Sequence, residues 1–118
     1  MNSKMTEIEL VNHYKGLDVR ERIVALMKYD MENYSFPDMH IEIFMAAFEK
    51  SSLKPEVFTV LLDFCFDVEG QLVLSSISDM TNRWEGLKIS TAYKALLQAK
   101  SDNEVIRTEI SSRPYNNY

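Results

Sequence analysis

From Asp18 the apolar positions recur every three or four residues. Val19, Ile23, Leu26 and Met27 share one face, a spacing that predicts an α-helix. Asp18 is a natural N-cap, and Glu21, three residues on, completes a capping-box spacing in its Asp form. Pro37 biases Phe36 away from the α region, so this helix is expected to end before it. Asp38 opens a second helix with Ile41, Phe44, Met45 and Phe48 inward and Glu42, Glu49 and Lys50 in water. Ser51 and Ser52 break it. A third helix carries Pro55 in its first turn, where a missing N–H is harmless. Its run Val57, Phe58, Val60, Leu61, Leu62, Phe64, Cys65 and Phe66 is apolar on almost every side, the signature of a buried helix. A turn at Gly70 leads to a fourth helix, about Leu72 to Trp84, with Gly86 expected at its C-cap. Ser90 or Thr91 caps a fifth, containing Ala92, Tyr93, Ala95, Leu96 and Leu97. Ile8, Leu10 and Val11 allow an extra amphipathic turn or helix near the start.

Strands over Phe58–Phe66 or Leu72–Ile77 fit the apolar runs equally well. The capping signals and the lack of hairpin turns such as Asn-Gly decide for helices. The expectation is an all-α domain, a compact bundle of about five helices over residues 17–101. Residues 1–16 form an N-terminal extension and residues 102–118, where the apolar content thins, a flexible tail.

Composition narrows the function. The chain has 118 residues, enough for one domain with a core, and 46% are hydrophobic. One cysteine, Cys65, makes no internal disulfide, and there is no apolar leader or membrane-length run. The reading is a soluble, cytoplasmic protein with no membrane span. Net charge is −5. Residues 1–82 hold seven basic and fourteen acidic residues, and residues 83–118 six basic and four acidic, so −7 is followed by +2. An acidic body argues against tight non-specific DNA binding by the whole surface, while the basic end leaves room for a local phosphate contact.

Catalytic chemistry finds little to work with. Three isolated glycines exclude a phosphate-cradling loop, and His13 and His40 stand far apart without metal-ligand spacing. Cys65 reads as an inert buried thiol, and Asp63 with Asp67 as a polar helix edge facing water. No cofactor, no metal and no enzyme activity are expected.

The segment Leu53-Lys-Pro-Glu-Val-Phe-Thr-Val-Leu-Leu-Asp-Phe and the later Trp84, Ile89, Thr91 and Ala95 carry a resemblance. Over residues 17–101 the chain resembles the shared domain of the DnaD/DnaB primosome family, most like the C-terminal DnaD-like domain of the helicase co-loaders. That family has Tyr-x-x-x-Ile-x-x-x-Trp on its penultimate helix. Here Trp84 keeps the Trp, Met80 stands at the Ile position, and Ser76 replaces the Tyr. The resemblance implies a non-enzymatic replication-initiation adaptor within a longer protein, one that binds single-stranded DNA weakly, self-associates and recruits a helicase loader or other primosome proteins. On it, Ser76, Met80, Arg83, Trp84, Lys88 and Lys94 are the candidate DNA-binding residues. Two roles are open to Trp84, a core ring against the third helix or a ring stacking on an unpaired base. Arg83 and Lys88 flank the Gly86 turn and are candidates to converge on one phosphate. The alternative is a pure protein–protein module with no DNA contact, to which the acidic surface of the first helices is suited.

Overall fold

The computed structural model describes residues 6–30 and 38–112, and every regular element among them is a helix. α1 spans Glu7–Lys15, α2 Val19–Asp30, α3 Asp38–Lys50, α4 Pro55–Glu69, α5 Leu74–Gly86 and α6 Ala92–Ser112. The all-α expectation holds, with six helices in place of about five.

The extra helix is α1. Thr6 caps it reciprocally: the Glu9 amide donates to Thr6 Oγ1 at 3.1 Å, and the Thr6 amide donates to Glu9 Oε1 at 2.9 Å. α1 packs against α4 and α6, so residues 7–15 are part of the bundle. α2 starts as its sequence indicates, with the Glu21 amide donating to Asp18 Oδ2 at 3.0 Å and Val19, Ile23, Leu26 and Met27 buried. The expected stop at Pro37 lies outside the described residues.

α4 is the centre of the fold. Pro55 occupies its first turn, Val57 to Leu62 are all buried with Phe64 and Cys65, and α1, α2, α5 and α6 all pack on it. α3 leans on α2 and α5 and sets Phe48 against Phe58 of α4, ring centres 5.0 Å apart. α4 ends at Gly70, whose φ of 77° is left-handed and whose N–H reaches the Phe66 carbonyl at 2.7 Å.

Two boundaries differ from the sequence pattern. Gly86 is the last helical residue of α5 rather than its left-handed cap; the left-handed position falls two residues later, on Lys88, with φ of 59°. α6 runs on to Ser112, so the edge expected at residue 101 lies inside a helix, while 113–118 lie outside the described residues. Thr91 caps α6 by accepting the Lys94 amide at 3.1 Å. The Ala92 amide donates at 2.7 Å to Glu56 Oε2, a side chain borrowed from the first turn of α4.

Candidate nucleic-acid interface

The candidate residues lie along α5, the α5–α6 connection and the start of α6. Burial sorts them into two groups.

Trp84 is 0% exposed. Its ring stacks on Phe64 of α4 at 6.5 Å, and its indole N–H donates to Asp102 Oδ2 at 3.0 Å. A base needs an open ring face, and Trp84 presents none, so of its two readings the core one holds. Asp102 is itself buried and gathers two further donors on Oδ1, Arg83 Nη2 and Gln98 Nε2, each at 2.8 Å. Arg83, its side chain 53% exposed, thus spends one nitrogen on a link from α5 to α6. Ser76 donates to Glu69 Oε2 at 2.8 Å, tying α5 to the end of α4 and setting a carboxylate beside it. Met80 is half-buried against the core and lines a small cavity of about 190 Å³ with Phe64, Cys65 and Val68. Ser76, Met80 and Trp84 thus join the packing between helices.

Lys88 and Lys94 behave differently. Both are exposed, and neither makes an ion pair among the described residues. Tyr93, which precedes Lys94 in the first turn of α6, is 47% exposed, although the sequence pattern sets it among the apolar residues of its helix. The signal for its exposure was present. Ala92, Ala95 and Ala99 trace the small-residue face that packs inward, and at about 100° per residue Tyr93 and Leu97 fall on the opposite side.

Asp102 has a pH consequence. Desolvation is the largest single influence on it and pushes its pKa up. The hydrogen bonds from Arg83, Trp84 and Gln98 together outweigh this and hold the carboxyl below its ordinary range. A depressed folded pKa stabilises the fold at pH values above the unfolded carboxylate pKa, about 3.9. That stability is lost as pH falls through the folded value. Asp102→Asn keeps an oxygen for the indole but loses the charge. Its urea midpoint should lie below wild type at neutral pH, with the gap closing towards pH ~3; a gap that widens on acidification would show that Asp102 is not held ionised.

Asp63 does not face water as a free polar edge. It takes two bonds from Arg22, at 2.7 and 2.8 Å, and one from the Tyr14 hydroxyl at 2.6 Å. Burial, then the bond to Asp63, raises the Tyr14 pKa. These groups border a cleft of about 770 Å³ over α4, walled by Ala25 and Leu26 of α2 and by Leu96 and Ala99 of α6. Burial pushes the Cys65 thiol up to about 12, so the nucleophilic thiolate is scarce at neutral pH. Among the described residues no group of His, Cys, Asp and Glu is placed to hold a metal ion, and no helix is long and apolar enough to cross a membrane. No family model matches this chain, and no curated protein or solved structure matches it.

Proposed function

We propose that this chain is a non-enzymatic adaptor of the DnaD/DnaB primosome type, binding single-stranded DNA weakly and recruiting a helicase-loading partner in the cytoplasm. The observation that carries the reading is the distribution of charge. Exposed acids crowd α1 to α3, at Glu9, Asp18, Glu21, Glu42 and Glu49, whereas Lys88 in the α5–α6 connection and Lys94 in the first turn of α6 are exposed and make no ion pair among the described residues. An acidic body suits a protein partner and an uncompensated basic edge suits phosphate.

A second reading, a protein-only adaptor or self-association module, is favoured by the burial of Trp84 and by the Glu69 carboxylate against Ser76. Ile43 and Leu74, both exposed, add apolar surface at a cavity of about 300 Å³ lined by Met27, Phe44 and Leu72. Anisotropy of a labelled single-stranded oligonucleotide, compared with duplex, separates the two. Binding to the single strand at low salt that weakens towards physiological salt is expected. No binding at low salt would leave the protein-only adaptor.

A further inference from the structure

We infer that Tyr93 is the base-stacking platform of this chain, with Lys88 and Lys94 holding the flanking phosphates of a single DNA strand. The inference rests on the proposed single-strand binding and relocates it from Trp84, which is sealed in the core, to the opening turn of α6.

The first support is the ring itself. Tyr93 sits in the first turn of α6 with nearly half its surface open, on a helix anchored at that end by the Glu56 and Thr91 caps. A base stacks on an aromatic face whatever its identity, so an open, well-anchored ring suits binding without sequence preference. Leu97, one turn on and also open, extends the apolar surface along the same stripe.

The second support is electrostatic. Three acids of α4, α5 and α6 are engaged in hydrogen bonds of their own. Glu85 accepts from the amide and hydroxyl of Ser52, Glu56 from the Ala92 amide, and Asp102 from Trp84, Arg83 and Gln98. Lys88 and Lys94 are exposed and make no ion pair among the described residues.

The third support is the backbone at Lys88. Its φ of 59° is a conformation that glycine or asparagine adopts readily and a long side chain does not. A glycine stands two residues earlier, at Gly86, in ordinary helical geometry. The Ile89 amide donates to the Trp84 carbonyl at 3.1 Å and the Lys88 amide to the Glu85 carbonyl at 3.0 Å, the common hydrogen-bonded helix end, which fixes the backbone from which the Lys88 side chain extends.

The test measures anisotropy of a labelled oligothymidine of roughly 15 nucleotides, within the site sizes such proteins cover. Wild type is compared with Tyr93→Ala, Tyr93→Phe, Lys88→Gly and Lys94→Gln, with a labelled oligoglutamate as the acidic-peptide control. Tyr93→Ala should weaken binding about tenfold, the loss of one stacked base, and Tyr93→Phe should restore it. Lys94→Gln should lower the salt slope by about 0.7, one phosphate contact on a single strand. Lys88→Gly should weaken binding while raising the melting temperature, because it removes charge and strain together. Circular dichroism checks that Tyr93→Ala folds. If wild type binds the oligonucleotide and Tyr93→Ala binds it equally well, the inference fails and the proposed function stands. If wild type does not bind at low salt, both fall. Binding of oligoglutamate in place of DNA would assign the surface to an acidic protein partner and overturn the inference.

Discussion

Trp84→Ala should be the most damaging single substitution in the bundle, costing about 4 kcal/mol. Three losses coincide. The ring has no exposed surface to begin with, so its whole volume becomes a cavity between α4, α5 and α6. Phe64 loses its stacking partner, and the buried Asp102 loses the indole N–H. A domain of this size has some 5–15 kcal/mol to lose, so the variant should unfold at markedly lower urea, read by circular dichroism. Trp84→Phe keeps most of the packing but drops the N–H, and should fall between the two. In wild type, acrylamide should barely quench the tryptophan until the protein unfolds. Ready quenching in the native state, or an Ala variant within about 1 kcal/mol of wild type, would contradict the buried placement.

Asp63→Ala should rank next, at about 3 kcal/mol, the low end for breaking a buried ion pair, since both partners keep some contact with water. The Asp63 side chain is 17% exposed and that of Arg22 29%. Removing the carboxylate strands the Arg22 guanidinium and the Tyr14 hydroxyl, which come from two other helices, so α1 and α2 loosen together. Pairing Asp63→Leu with Arg22→Met removes both charges. The double variant should be more stable than Asp63→Ala, because an unpaired cation costs more than a missing pair. Urea midpoints of the set decide it; losses at Asp63 and Arg22 that simply add would show that the two side chains do not act as a unit.

What could be read from the sequence divides by range. Asp18 with Glu21, Pro55 in a first turn, Gly70 at a helix end and Thr91 before a helix are all local signals, and each sits where its chemistry says it should. The apolar run of α4 marked the central helix because only a helix surrounded by others can be greasy on every side. Long-range pairings stayed hidden. Asp63 reads as a surface acid until Arg22, 41 positions away, is folded against it. Asp102 reads as part of a tail because nothing near it in sequence explains why a carboxylate should be buried. Its reason is the indole of Trp84, 18 positions earlier. At the candidate site the cause is the same. Trp84 was open to two roles, and the partner that settles it lies on α6. Gly86 drew attention as the turn residue when the turn belongs to Lys88.

The seam between α1 and α6 has a consequence for how the molecule comes into being. These are the first and last helices described, and they lie against each other on α4. A chain made from its N-terminus produces α1 well before α6, so on the ribosome α1 waits with one flank bare. Its Tyr14 finds Asp63 as soon as α4 emerges, but its other neighbour arrives only with α6. Contacts of such long sequence separation close slowly because a long stretch of chain must first be ordered. Before that closure, the cleft over α4 lacks its α6 wall and much of the core stands open to water and to other nascent chains.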